Sequence, residues 1–102
     1  MIAVSVTFQY FEDFDRARVV TVAENARRTF EGMPGLRSKV FTVDELHHRA
    51  VNFYVWDSAD AAKSFFSDET RERVTHLYGI APTIDFVEIA QIVDNVGVEP
   101  ES

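Results

Sequence analysis

The sequence predicts a single α+β domain in which two helices cover one face of a four-stranded antiparallel sheet. Two observations carry this prediction. The hydrophobic period switches between two and 3.6 residues along the chain, and capping or turn residues stand where it changes. A chain of 102 residues is long enough for one domain and too short for two ordinary ones. We expect the domain to span residues 1–94, followed by an acidic C-terminal tail at 95–102.

The first strand and the first helix follow from the N-terminal third. Residues 2–10 alternate strictly between β-branched or aromatic side chains and small or polar ones, which is typical of a strand with one buried face. Asp13 and Asp15 offer N-caps for a helix that continues to about Glu31. The Gly-Met-Pro-Gly turn at 32–35 ends this helix, because proline cannot extend it and the glycines permit a turn.

The rest of the chain repeats this pattern. Strands at 36–43 and 50–56 are joined by a polar loop of hairpin length. Asp57 or Ser58 caps the next helix, which breaks at 67–69, where a fresh capping signal stands, restarts there and ends before Gly79. A fourth strand lies within 83–93. The element order is therefore β-α-β-β-α-β, which is the ferredoxin-like arrangement.

The composition limits the classes of function. The chain carries a formal net charge of −7, so a nucleic acid or an anionic membrane surface is not an expected partner. It contains no cysteine, which excludes disulfides, thiolate nucleophiles and most zinc sites. No apolar run reaches the length of a membrane span, and no signal peptide is recognisable, so we expect a cytoplasmic protein.

Two helices cover only one side of such a sheet, so the other side needs its own explanation. The apolar face of the first strand points to the helices, and by the same logic Val51, Phe53 and Val55 do so in the third strand. The uncovered side then carries a mixed polar and aromatic set: Ser5, Thr7, Gln9, Asn52, Tyr54 and Trp56. We expect a homodimer in which two such sheets pack face to face and enclose a cavity for a small molecule. The alternative is a solvated sheet face.

Short motifs between residues 30 and 66 carry a family resemblance. The first two are a Pro-Gly turn at Pro34–Gly35 and a Lys-Val-Phe-Thr strand at Lys39–Thr42. They are followed by an acidic loop with histidines at 44–48 and by a strand that runs into Trp-Asp-Ser-Ala-Asp-Ala-Ala at Trp56–Ala62. With these motifs the chain resembles the dimeric α+β barrel proteins, in particular small mono-oxygenases related to antibiotic-biosynthesis mono-oxygenases. The resemblance extends over roughly residues 2–94.

The resemblance implies oxygenation of a small aromatic or polyketide-like substrate without a metal or flavin. Such chemistry needs a base, hydrogen bonds to an oxyanion and an apolar pocket that excludes water. Asn52 and Tyr54 match the residue types that hold a substrate oxygen in these enzymes, and Trp56 matches a side chain that stacks on the substrate ring. The alternative for all three is a polar seam of the dimer, with Trp56 as packing.

Further candidates are less specific. His76 is a candidate base at the mouth of the cavity, or an exposed last-turn histidine that complements the helix dipole. Lys39 shares a face of the second strand with Arg37 and Phe41, and it can bind an anionic oxygen if that face points inward; otherwise it is a surface charge. Thr7 and Gln9 are minor candidates for the cavity wall.

Metal and haem sites are disfavoured. His47 and His48 are adjacent in a loop and point in opposite directions, and no further His or Cys completes a metal site. Haem-degrading relatives carry an Asn on the first strand, which is absent here, and His76 stands about two residues further along than their iron ligand. Two other readings of the scaffold stay open: a non-catalytic small-molecule-binding or stress-response module, and a polyketide cyclase or isomerase.

Overall fold

The computed structural model describes residues 1–95 and confirms the predicted α+β, ferredoxin-like class. The elements are β1 (Ile2–Gln9), α1 (Arg16–Phe30), β2 (Leu36–Asp44), β3 (Arg49–Trp56), α2 (Ala59–Phe65), α3 (Asp68–Tyr78) and β4 (Thr83–Glu88). The strands form one antiparallel sheet in the order β2-β3-β1-β4. The predicted tail lies outside the described residues from position 96 onward.

The helices begin and end at the residues that the capping signals indicate. Asp15 accepts a hydrogen bond from a backbone N–H in the first turn of α1, and Ser58 and Ser67 do the same for α2 and α3. Gly79 ends α3 in the left-handed conformation, with φ of 78°. The second predicted helix is thus two helices with a break at 66–67. Within the described part of the chain, none of the helices combines the length and the apolarity that crossing a membrane requires.

The strand register corrects the predicted orientation of β3. Val4 stands opposite Tyr54, Val6 opposite Asn52, and Ile2 opposite Trp56. Directly opposed residues of neighbouring strands share a face of the sheet, and Val4 and Val6 are buried on the helix side. Asn52, Tyr54 and Trp56 therefore also point to the helices. The prediction that they lie on the uncovered side is wrong, while the predicted orientation of β1 is right.

The uncovered side of the sheet is consequently more apolar than predicted. It carries Val51, Phe53 and Val55 of β3 opposite Thr7, Ser5 and Ala3 of β1. Its large apolar side chains remain accessible in the single chain: Val40, Phe53 and Val87 are 53%, 49% and 60% exposed. Contiguous apolar surface of this kind typically marks a contact site.

A β-bulge settles the face of β2 that the sequence leaves open. Leu36 pairs with Trp56 and Lys39 with Tyr54, and the register shifts between Leu36 and Ser38. Three residues of β2 thus span the distance of two on β3. Lys39 and Phe41 both lie on the helix side, whereas Arg37 lies in the bulge and pairs with Asp57 at 3.9 Å between Nη1 and Oδ1.

The turn between α1 and β2 offers a matched pair of glycines for a test. Gly32 and Gly35 both have positive φ, at 72° and 81°, but only Gly35 is crowded: an added Cβ would lie 3.0 Å from the Cβ of Ala61. We expect Gly32→Ala to lower the free energy of unfolding by about 1 kcal/mol, because of its backbone conformation. Gly35→Ala should lower the free energy of unfolding by at least roughly 1 kcal/mol more than Gly32→Ala does, because α2 must also shift. Urea denaturation measures both, and equal losses would show that α2 yields without cost.

Candidate active site

A cavity of about 570 Å³ lies between the sheet and the helices of the single chain. Its walls come from α1, from the α2–α3 segment and from the helix side of β1, β2 and β3. This volume falls within the usual range for small-molecule sites. The cavity was predicted between the sheets of two chains, and this one lies on the opposite face because β3 is oriented the other way.

The cavity explains the incomplete burial of α1. Val19 is buried, whereas Val22, Ala26 and Phe30, on the same apolar side of the helix, are only half-buried and line the cavity. The 3.6-residue pattern thus correctly predicts the inward side of α1. Part of the inward side of α1 lines the cavity and does not pack against the sheet.

One end of the cavity has aromatic walls. The Phe30 ring packs edge-on against the rings of Phe41, Tyr54 and Phe65, with centroids 5.9, 6.1 and 5.8 Å apart. Phe66 in turn packs edge-on against Tyr54 at 5.1 Å. Rings in such arrangements hold each other in position. The site therefore presents fixed apolar surfaces that suit a planar ring system.

Lys39 lies inside this aromatic cluster. Its Nζ is 3.3 Å from the ring centroid of Phe30, 4.1 Å from that of Phe41 and 4.4 Å from that of Tyr54. Within residues 1–95 this amine forms no ion pair. Burial disfavours the charged form and lowers the pKa of Lys39 to about 7. The side chain therefore changes between ammonium and amine near neutral pH.

Asn52 and Tyr78 provide hydrogen-bonding groups on the cavity floor. The Asn52 amide donates from Nδ2 to the Tyr78 hydroxyl at 3.1 Å, and both residues are buried. The Tyr78 ring is fixed by stacking on Phe8 at 3.8 Å, and its carbonyl accepts a bond of 2.6 Å from the Tyr10 hydroxyl. Burial raises the pKa of Tyr78, so its hydroxyl stays protonated.

The Tyr54 hydroxyl is available to a ligand. It makes no hydrogen bond to any of the residues that the structure describes. Burial also raises the pKa of Tyr54, so this hydroxyl stays neutral and can donate. The Tyr54 ring stacks on Trp56, with centroids 6.1 Å apart and planes 12° apart.

Trp56 supports the site from behind. It is 1% exposed and belongs to the core cluster, so its ring is not part of the cavity lining. Its Nε1–H is buried without a hydrogen-bond partner among residues 1–95, which is unusual for a buried indole.

Three further predicted site residues lie away from this cavity. Thr7 lies on the uncovered side of the sheet. The Gln9 amide donates to the carbonyl oxygens of Tyr10 and His47, at 2.9 and 2.8 Å, and so holds the β2–β3 turn. His76 is exposed in the last turn of α3.

The loop histidines have other partners. His47 Nδ1 lies 2.8 Å from Asp44 Oδ2, and His48 Nδ1 lies 2.9 Å from the carbonyl oxygen of Phe11. No cluster of three or more His, Cys, Asp or Glu suited to a metal ion occurs among residues 1–95.

The sequence interpretation missed the contribution of α3. Arg73, Val74, Leu77 and Tyr78 all line the cavity. Their spacing of one, three and one residues is a helix-face signal, which the focus on His76 passed over. Arg73 also adds a second cation to the lining, so the cavity has two basic and no acidic side chains among the described residues.

The titration of Lys39 leads to a prediction about stability. The pKa of Lys39 is about 7 in the folded chain and near 10.5 when solvated, so the unfolded chain binds the extra proton between these values. The free energy of unfolding should therefore rise with pH from about 7 to about 10, and level off below pH 7, where the folded chain also binds the proton. We expect Lys39→Met to remove roughly 1 to 3 kcal/mol of this pH dependence. Urea denaturation across that range measures it, with the exposed Lys63→Met as control; identical slopes would contradict it.

Comparison with known proteins supports the fold. The mono-oxygenase encoded by ActVA-Orf6 of Streptomyces coelicolor, solved with nanaomycin D, is 19% identical, with 91% of each chain covered and a TM-score of 0.64. SnoaB, a cofactor-independent oxygenase from Streptomyces nogalater, is 16% identical, with 90% of this chain and 95% of SnoaB covered and a TM-score of 0.65. Rv0793 from Mycobacterium tuberculosis is 13% identical, with 91% and 98% covered and a TM-score of 0.68.

These similarities define the class of fold. The chain has the α+β fold of the antibiotic-biosynthesis mono-oxygenase-like proteins, as the sequence motifs predict. No protein-family model matches the sequence, and no curated protein matches it. The function must therefore be inferred from the site.

Proposed function

We propose that this protein is a cofactor-independent mono-oxygenase that acts on a small aromatic or polyketide-like substrate. The observation that carries the proposal is the cavity within the chain, where aromatic walls meet the hydrogen-bonding groups of Asn52, Tyr54 and Tyr78. The fold similarity to SnoaB, described as a cofactor-independent oxygenase, supports the same reading. The nanaomycin D complex of the ActVA-Orf6 protein supports a multi-ring ligand.

The proposed chemistry uses the electrons of the substrate itself. A base removes a proton from an anthrone or phenol, and the resulting anion passes an electron to O₂. For an anthrone, one oxygen atom ends in the quinone carbonyl and the other leaves as water, so anthrone and O₂ give anthraquinone and water. The protein binds the ring, excludes water and stabilises the oxyanion. It needs no metal or flavin for this, and haem is not part of the proposal.

Asn52 and Tyr54 are proposed as the catalytic hydrogen-bond donors. Both residues line the cavity, so the second amide hydrogen of Asn52 and the hydroxyl of Tyr54 would donate to a substrate oxygen, and Phe41 would contact the ring. Trp56 acts through Tyr54, whose ring it stacks against.

The uncovered side of the sheet supports a homodimer. Val40, Phe53 and Val87 would be buried if a second copy packed its sheet on this face. A two-fold axis lets the same patch cover itself. The cytoplasmic location remains a prediction from the sequence.

Oxygen consumption with an anthrone tests the proposed function. Metal-free and flavin-free protein should consume O₂ and form the quinone in equal amounts, and Asn52→Ala should lower kcat by about 100-fold. His76→Ala should retain the wild-type rate, because His76 is exposed away from the cavity. Tight binding without O₂ consumption would overturn the proposal in favour of a binding module. Product formation without O₂ would favour a cyclase or isomerase.

A further inference from the structure

We propose that Lys39 is the base of this site: its neutral amine takes the proton of an acidic hydroxyl on the substrate ring, and the ammonium so formed holds the oxyanion. This inference rests on the proposed function and specifies its substrates as phenols or enols with a free hydroxyl, which includes the enol tautomer of an anthrone. It replaces His76, which the geometry leaves outside the cavity.

Lys39 lies at the aromatic end of the cavity. Its Nζ is surrounded by rings from three elements, which are Phe30 of α1, Phe41 of β2 and Tyr54 of β3. The amine thus lies where a planar substrate would pack against the aromatic walls. The three ring faces attract the ammonium form by cation–π interaction, but they give its charge no full counterion. Among residues 1–95, Lys39 has no carboxylate partner.

The described lining of the cavity holds three ionisable groups besides Lys39. Arg73 and Tyr78 come from α3 and Tyr54 from β3, and the described lining of α1 and α2 contributes no ionisable group. Arginine stays charged at any physiological pH. Burial raises the pKa values of both tyrosines, so they stay neutral. Lys39 is therefore the lining group whose protonation changes near neutral pH.

The proton transfer is balanced within the site. The lone pair of Nζ forms a new N–H bond as the O–H bond of the substrate breaks, and the bonding electrons remain on the oxygen. The products are an ammonium and a phenolate in contact. Their attraction is strong because the surroundings are apolar. The arrangement therefore favours the anion that must pass an electron to O₂.

The bulge in β2 is what places Lys39 there. Leu36 packs in the core opposite Trp56. Because Arg37 is an extra residue in the bulge, Lys39 points to the same side of the sheet as Leu36, although it stands three positions after it. In a regular strand, residues 36 and 39 would lie on opposite faces.

A coloured phenol that is not consumed tests this inference separately from turnover. 2-Hydroxyanthraquinone is titrated with pH while bound to the protein under anaerobic conditions, because its phenolate absorbs at longer wavelength than the neutral form. We expect the apparent pKa of the bound dye to fall by at least about one unit in the wild type, a tenfold change in its ionisation. The shift should vanish in Lys39→Met and persist in Lys63→Met, whose lysine is exposed on α2.

The methyl ether of the dye, 2-methoxyanthraquinone, serves as the binding control. It should bind wild type and Lys39→Met with equal affinity, which shows that the cavity of the variant is intact. Bound hydroxy dye with the pKa of the free dye, or an equal shift in Lys39→Met, would overturn the role of Lys39 and leave the oxygenase proposal standing. Binding of neither dye to the wild type would overturn both.

Discussion

Replacing Phe8 with alanine is expected to lower the free energy of unfolding by about 3 to 5 kcal/mol. Phe8 is fully buried and stacks on the Tyr78 ring at 3.8 Å with planes 9° apart, so its loss removes the contact between β1 and α3. The total free energy of unfolding of a domain of this size is roughly 5 to 15 kcal/mol. The variant should therefore lose a large share of its stability and unfold at a clearly lower urea concentration than the wild type.

Urea denaturation followed by circular dichroism measures this loss. Phe11→Ala is the matched control, because Phe11 is 74% exposed and its replacement should change stability by less than about 0.5 kcal/mol. A loss below about 1 kcal/mol for Phe8→Ala would mean that α3 closes over the gap. The hydrogen bonds of Tyr78 with Asn52 and with Tyr10 would then hold α3 in place.

Replacing Phe53 with arginine is expected to weaken the proposed homodimer by about 100-fold or more. Phe53 lies on β3, in the middle of the uncovered side, so a two-fold contact would bring the two new charges together in a buried surface. Analytical ultracentrifugation should find the wild type dimeric and the variant monomeric at micromolar concentration. Leu46→Arg is the control, because Leu46 is 85% exposed in the β2–β3 turn.

The Phe53→Arg monomer should still bind 2-methoxyanthraquinone. The cavity is built from one chain on the other face of the sheet, so its walls do not require a partner. A monomeric wild type would contradict the homodimer itself. Loss of dye binding in a folded Phe53→Arg variant would show instead that the partner holds the sheet in its binding shape.

The elements were predictable because their signals are local. Asp15, Ser58 and Ser67 cap the helices that their positions indicate, and strict alternation defines β1. The break between α2 and α3 was likewise visible as a second capping signal. Each of these features depends on a few neighbouring residues, so one sequence is enough to find them.

The orientation of β3 was not predictable in this way. Its alternation separates Phe53 from Asn52 and Tyr54, but both faces carry large side chains, and the more aliphatic one was assigned to the core. Assigning the more aliphatic face of a strand to the core is correct when the core contains no polar cavity. Here the helix side contains a cavity with polar groups, while the uncovered side is aliphatic, so the usual contrast is reversed.

The site residues also divide into those that the sequence predicts and those that depend on the folded structure. Tyr54, Asn52, Lys39 and Phe41 were found by residue type and do line one cavity, although not on the face expected. The inward direction of Lys39 depends on the bulge after Leu36, which alternation alone does not reveal. Tyr78 was missed although it belongs to the helix-face pattern of α3, and only the long-range contact with Phe8 shows how its ring is held.

The adjacency of Phe53 and Tyr54 has a practical consequence. Phe53 faces the proposed partner and Tyr54 faces the proposed ligand. Residues that determine the substrate and residues that determine the assembly therefore alternate along β3. Point substitutions at alternate positions can change either property while leaving the other intact. A one-residue insertion in β3 would exchange the two sets at once, so this strand should tolerate substitution far better than any change of length.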